Sequence, residues 1–178
     1  MGDDMPNRNK NKGKAGEREV CKIFASVFGG SWQRTFTSGA FTGGSNNGRA
    51  KELSESQLLN NSNDIVPPDE YPHCALEVKT RKEFNFHHLF RKEGVLELNE
   101  WIEQVRESGI DMEKSFPIIA FKPNRMGWFI VVWGSKLSGI TLGEQSFSYY
   151  KYGDEWFAIF DMEEFLINNK DYLIKKFS

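Results

Sequence analysis

Three residues carry the chemistry that can be read most directly. Glu77 and Lys79 stand two apart in Cys74-Ala75-Leu76-Glu77-Val78-Lys79, and Asp64 precedes Glu77 by thirteen positions. The six-residue run alternates as a strand does, with Cys74, Leu76 and Val78 on one face and Ala75, Glu77 and Lys79 on the other. An acid and a base side by side on a half-buried strand waste burial unless that face lines a site. Asp64 opens Asp64-Ile65-Val66, a short strand stopped by Pro67-Pro68, from which it could approach Glu77. Two carboxylates aimed at one point repel each other, and a divalent cation relieves the repulsion. Mg²⁺ suits such a pair, with Mn²⁺ as a substitute: it takes one or two carboxylates and keeps several waters. One of those waters can attack a phosphate, and Lys79 would orient it or steady the developing charge. The plain alternative is a surface Glu77–Lys79 ion pair worth ~0–1 kcal/mol.

A third carboxylate comes from the first helix, predicted over Lys14–Phe28. Val20, Phe24 and Val27 form its apolar stripe, and Gly29-Gly30 ends it. Three residues before Val20 the stripe reaches Glu17, an acid on the inward face. The other elements follow in order. A strand is expected near Ser31–Phe36, then a Gly/Ser/Asn-rich loop over 39–63, within which Lys51–Leu59 could form a helical turn or two. A second helix is expected over Val95–Ser108, with Leu98, Trp101, Ile102 and Val105 buried. A hairpin pairs Pro117–Phe121 with Trp128–Trp133, and a further β region pairs Ser146–Tyr150 with Glu155–Phe160. The last helix is expected over Met162–Phe177, with Asp161 as N-cap and Glu164 completing the capping box. Residues 1–12 hold almost nothing apolar and are expected to be a flexible basic arm before a single domain over 13–178. Helices flanking a central mixed sheet make the chain α/β or α+β.

Composition excludes several classes. The 178 residues suit one domain, and 39% apolar with 27% charged residues is ordinary for a globular chain. Two cysteines, Cys21 and Cys74, give no disulfide framework and fit a reducing cytoplasm. No run approaches the ~20 apolar residues of a membrane span, and the polar N-terminus has no signal-peptide core. The formal charge is only −2, but it is unevenly spread. Arg8–Lys22 holds six basic residues against two acids, and Lys79–Lys92 five against one; Glu93–Glu113 holds seven acids against Arg106 alone. Lys12 and Lys14 in the first stretch, and Arg81 and Lys82 in the second, are candidate contacts for a polyanion such as DNA. The vicinal His87-His88 has no third ligand nearby and is read as DNA-facing or supporting rather than zinc-binding. Tyr149, Tyr150, Tyr152, Trp156 and Phe157 are read as core and subunit packing rather than a base-stacking platform.

These pieces resemble the archaeal-type Holliday junction resolvases of the PD-(D/E)XK nuclease superfamily. The resemblance runs from Lys12-Gly13-Lys14-Ala15-Gly16-Glu17-Arg18-Glu19 through Arg34-Thr35-Phe36-Thr37-Ser38-Gly39 to Asp64-Ile65-Val66 and Glu77-Val78-Lys79. Pro117–Lys122 and Gly127–Val131 look like the last paired strands. It implies a restriction-endonuclease-like α/β core and a Mg²⁺-dependent, structure-selective DNA endonuclease that hydrolyses four-way junctions. Other nucleases with the same core, in repair, restriction or single-strand processing, and a catalytically silent DNA-binding protein of the same fold, are the alternatives. It implies metal ligation by Asp64, Glu77 and the Val78 carbonyl, an accessory acid at Glu17 that could also reach the metal, a catalytic Lys79, and phosphate contacts from Arg18, Arg34 and Ser38. It further implies a homodimer, matching the two-fold symmetry of a junction. The loop over 39–63 is longer than is typical of these resolvases, and the last ~40 residues have no evident counterpart in them. The Asn-rich, small-residue loop resembles phage-encoded members, which would place the protein in a host cytoplasm.

Overall fold

The computed structural model describes residues 8–35, 63–91, 93–142 and 147–178. The chain runs α1 (Arg8–Phe28), β1 (Gln33–Arg34), β2 (Ile65–Val66), β3 (Cys74–Arg81), a 3-10 turn (Phe86–Phe90), α2 (Leu96–Glu107), β4 (Phe116–Pro123), β5 (Phe129–Trp133), a second 3-10 turn (Gly134–Lys136), β6 (Phe147–Tyr152), β7 (Glu155–Asp161), α3 (Met162–Asn168) and α4 (Lys170–Phe177). Seven strands form one sheet in the order β1-β2-β3-β4-β5-β7-β6. Only β3 and β4 are parallel, joined by the crossover that contains α2. The architecture is the mixed, helix-flanked α/β sheet that the element order implies.

Strand alternation divides the core into two layers. Leu76 and Val78 on β3, Ile118 and Ala120 on β4, Ile130 and Val132 on β5, and Ala158 and Phe160 on β7 pack against α1, α3 and α4. Ile119 and Phe121, Val131 and Trp133, and Phe157 and Ile159 turn to the opposite side, where Leu98, Trp101, Ile102 and Val105 of α2 cover them. On β3 that second face is Ala75, Glu77 and Lys79, so the two charged residues lie on the side of α2.

Three expectations change. First, the stretch expected to be a flexible arm is helical from Arg8, because adding polar residues to an existing helix adds one hydrogen bond per residue without a new nucleus. Residues 1–7 lie outside the described residues. Second, the helix over 162–177 breaks at Asn169, whose φ of −115° and ψ of 14° leave the helical region. Its buried amide accepts from Thr141 N at 2.6 Å and donates to Thr141 O and Phe165 O. That competition between side chain and backbone ends one helix and starts the next. Third, among the described residues of the strand expected over 31–36, only Gln33–Arg34 form a strand, and Phe36 lies outside the described residues. The Asp161 cap stands as expected, accepting from Glu164 N at 3.1 Å. The Lys51–Leu59 turns lie outside the described residues.

Gly16 lets α1 lie close over β3 and over Trp128, the residue before β5. A methyl there would come 2.5 Å from Thr80 Cγ2 and 3.3 Å from Trp128 Cη2. Gly16→Ala gains ~0.5–1 kcal/mol in helix propensity but loses ~1–3 kcal/mol by overpacking. The urea midpoint should therefore fall, and adding Thr80→Ser, which removes the methyl, should restore most of it. A Gly16→Ala midpoint equal to wild type would show that α1 yields without cost.

Candidate active site

The register between β2 and β3 sets the site. Ile65 pairs with Leu76, and both side chains enter the core beneath α1. One residue back on β2 and one forward on β3, Asp64 stands opposite Glu77, on the other face. The Val78 N–H donates to Asp64 Oδ2 at 2.9 Å. A strand residue's C=O leaves on the same edge as its N–H, so the Val78 carbonyl points along this edge too. Thr35 N donates to Asp64 O at 2.9 Å, and Thr35 Oγ1 to Asn63 O at 2.7 Å, which holds the start of β2 against β1.

Glu77 is 5% exposed. Its Oε1 accepts from Lys79 Nζ at 2.5 Å and from Gln104 Nε2 at 2.9 Å, while Lys79 Nζ also donates to Gln104 Oε1 at 2.7 Å. Glu77, Lys79 and Gln104 thus close a ring of hydrogen bonds. Gln104 comes from α2 and was not singled out in the sequence. It sits beside the Trp101–Val105 stripe as the lone glutamine among α2's glutamates, a weak signal visible only once α2 is placed over β3. Burial first, then the Glu77 charge, pushes the Asp64 carboxyl up to about 7, with the Val78 N–H and Lys79 opposing. Two carboxylates forced together beside a backbone carbonyl are a set of hard oxygen donors suited to a cation such as Mg²⁺.

Glu17 and Arg34 pair with each other. Arg34 Nε donates to Glu17 Oε2 at 2.8 Å, and Glu17 is 8% exposed. Arg34 lies opposite Ile65, on the face beneath α1. A buried acid needs a partner, and the neighbouring strand supplies one. Among the described residues no group of three or more His, Cys, Asp or Glu converges on a point. The structure therefore brings Asp64, Glu77, Val78 and Lys79 together and holds Glu17 separately against Arg34.

The cations gather at one end of the sheet. Lys12 bonds the Asn124 side chain, Lys122 pairs with Glu19 at 2.6 Å, and Asn124 N donates to Arg81 O. These contacts bring the start of α1 to the ends of β3 and β4. Arg81 lies 5.2 Å from the Trp101 ring centroid, and Lys82 is exposed at the strand's exit. Lys14 and Arg18, four apart, share a helix face, and Arg18 is exposed. Arg81 follows Lys79 by two residues, so the basic end adjoins the carboxylate pair. Ser38 and the loop over 39–62 lie outside the described residues. No helix among the described residues is long and apolar enough to cross a membrane.

Comparison with known proteins adds to this geometry. A Holliday junction resolvase from Archaeoglobus fulgidus, Hjc, is similar at 14% identity over 91% of this chain and 95% of that one, with a TM-score of 0.36. No curated protein matches the chain. A family model described as "Phage putative PDDEXK endonuclease" matches residues 8–176, which takes in all but the last two residues of the C-terminal stretch. The chain belongs to this family of phage PDDEXK endonucleases.

Proposed function

We propose that the protein is a divalent-metal-dependent, structure-selective endodeoxyribonuclease that hydrolyses phosphodiesters in branched DNA, four-way junctions foremost. The observation that carries this reading is the opposition of Asp64 and Glu77 across β2 and β3 with Lys79 beside them. Asp64, Glu77 and the Val78 carbonyl would hold Mg²⁺, or Mn²⁺ in its place. When bound, the cation would neutralise the two carboxylates and supply a water acidic enough to attack phosphorus.

The chain's own groups do the positioning. The Val78 N–H fixes Asp64 Oδ2, and Lys79 with Gln104 fixes Glu77 Oε1, so Asp64 Oδ1 and Glu77 Oε2 are the oxygens left for the centre. An ammonium has three donors. Lys79 spends two on Glu77 and Gln104, and the third can meet a phosphate oxygen where charge grows. In the reaction a water oxygen bonds to phosphorus, a P–O ester bond breaks, and the leaving oxygen takes a proton. The cations at the ends of β3, β4 and α1 would hold the phosphate backbone across this edge. Branched DNA as the substrate rests on the resolvase-like sequence pieces. A nuclease of linear or single-stranded DNA and an inactive DNA-binding protein are the outcomes that cleavage assays separate.

A homodimer fits a substrate with two-fold symmetry. Strand β6 is an edge of the sheet, and Phe147, Tyr149 and Trp156 of the last hairpin are 37%, 53% and 53% exposed, while Tyr150 and Phe157 are buried. Light scattering at micromolar concentration should give twice the chain mass, and Tyr149→Asp with Trp156→Asp should return it to one chain while the circular dichroism stays native. A single-chain mass in the wild type would remove the dimer from the proposal.

Asp64→Asn and Glu77→Gln should each abolish Mg²⁺-dependent cleavage of a four-way junction while retaining binding, since charge is lost with little packing. Lys79→Ala should slow single-turnover cleavage by ~10²–10³-fold, as for one preorganised donor. Cleavage retained by Asp64→Asn would displace the site. Equal rates on junction and linear duplex would favour the linear-DNA reading.

The raised Asp64 carboxyl also makes a stability prediction. Unfolded, an Asp loses its proton near pH 4; folded and without a cation, Asp64 keeps it to about 7. Between these values the folded state binds more protons at this site, so the stability contributed by Asp64 is fully present below pH ~4 and is lost as pH rises towards 7. Urea midpoints in EDTA should show that decline, Asp64→Asn should flatten it, and Mg²⁺ at pH 7.5 should raise the wild-type midpoint. The same decline in Asp64→Asn would assign it to other groups.

A further inference from the structure

The 3-10 turn beyond the catalytic strand exposes a large hydrophobe without a structural reason. Phe84 is buried, and Phe86 and Leu89 pack into the layer beneath α2. Phe86 meets Phe84, Phe121 and Phe129 at ring-centroid distances of 4.8, 6.3 and 5.0 Å. Phe121 is the register partner of Lys79, so the turn is anchored one strand from the catalytic lysine. In a 3-10 helix residues three apart eclipse. Phe86 and Leu89 form the inward ridge, and His87 and Phe90 the outward one. Phe90 is 85% exposed, the most exposed large hydrophobe among the described residues. Backbone bonds from His88 N to Asn85 O and from Arg91 N to His88 O keep the ridge fixed.

The surroundings select the ligand. Arg81, Lys82, His87, His88 and Arg91 lie within eleven residues, with Glu83 among them and Glu93 just beyond, and Lys82 faces Glu83 at 3.6 Å. Desolvation first, then the His87 and Arg91 charges, holds the His88 imidazole below its ordinary range, with Glu93 opposing. An apolar ring on a rigid, cation-lined ridge suits a partner that is anionic in its backbone and aromatic in its bases.

We infer that Phe90 stacks on an unpaired or branch-point base of the DNA substrate, as a wedge beside the catalytic edge. This rests on the DNA reading above and adds the element that would distinguish branched from linear DNA. A continuous duplex keeps its bases stacked, so only a branch or a flap offers a free base face. His87 and Arg91 would hold the flanking phosphates while the ring takes the base.

The test measures binding in the cleavage-silent Asp64→Asn background with Ca²⁺, using a four-way junction carrying 2-aminopurine at the branch and a linear duplex of the same length. Phe90→Ala should weaken junction binding roughly tenfold to hundredfold, the share of one stacked base, and leave duplex binding unchanged. It should also remove the change in 2-aminopurine fluorescence on binding. Phe90→Trp should restore both, and Phe90→Leu should restore neither. Equal junction affinity for Phe90 and Ala overturns the wedge, as does an equal loss on duplex. Restoration by leucine, or a Phe90→Ala mass falling from two chains to one, assigns the ring to a protein contact and overturns it too. A parent protein that binds neither DNA overturns the DNA reading itself, whereas binding without any Phe90 effect overturns the wedge alone.

Discussion

Val78 donates its backbone N–H to the Asp64 carboxylate, and the placement of both acids depends on this contact. It forms just before β2 begins, beside a part of β3 that continues past it, so a side chain replaces the ladder partner that a longer strand would have supplied. Strand β2 is only Ile65–Val66, too short to define its own register. A slip of one residue would send Asp64 under α1 and Ile65 to the open face. Ile65, fully buried against the α1 layer, opposes that slip by hydrophobic burial, worth ~1.5–3 kcal/mol for such a side chain. The Thr35 bonds to Asp64 O and Asn63 O fix the strand from its other edge. A short strand held by three different kinds of contact gives the carboxylate a defined position while leaving one side of it open.

The two layers of the sheet divide the work. Beneath α1, α3 and α4 the face is sealed by apolar and aromatic packing, including Phe24, Phe28, Trp32, Tyr71 and Phe177. The buried pair on that side is Glu17 with Arg34, and Lys122 pairs with Glu19 where the same face meets solvent. Beneath α2 the cover is narrower. Apolar side chains of α2 reach β4, β5 and β7, but over β3 the helix offers Gln104, which bonds Glu77 and Lys79 instead of excluding them. A buried carboxylate left without partners is strongly unfavourable, and an amide that donates to the acid and accepts from the lysine answers both needs. The same helix that completes the core thus holds the polar residues of β3 in a fixed geometry.

What the sequence showed depended on how local each signal was. Glu77 and Lys79 sharing a face follows from period-two alternation alone, and the Asp161 cap from a three-residue spacing. Asp64 could be nominated as Glu77's partner, but its place opposite Glu77 needed the register, which no local pattern specifies. Gln104 and the Glu17–Arg34 pair depend on which helix covers which strand, a long-range property. The break at Asn169 was hidden for a related reason: its apolar neighbours keep helical spacing through the kink, and only the contact with Thr141 reveals why the chain turns. Phe90 was invisible as an exposed residue because a Phe beside Leu89 in an aromatic-rich segment reads as core.

Charge placement then constrains how a polyanion could approach. The chain is net acidic, yet the start of α1 and the ends of β3 and β4 carry Lys12, Arg81, Lys82 and Arg125, with Arg18 exposed further along α1. The outward side of α2 carries Glu97, Glu100, Glu103 and Glu107, with only Arg106 set against Glu103 and Glu155. Gln104 borders that acidic side, so a DNA backbone sliding across α2 would meet repulsion before reaching Glu77. Approach from the strand ends meets cations first, and the potential then falls towards the carboxylate pair. A field arranged this way raises the productive encounter rate and orients the ligand without a large net charge. Lys79 stands between the carboxylates and the basic end of this gradient. On the proposed reading Lys79, bonded to Glu77, would offset the repulsion that Asp64 and Glu77 exert on an incoming phosphate.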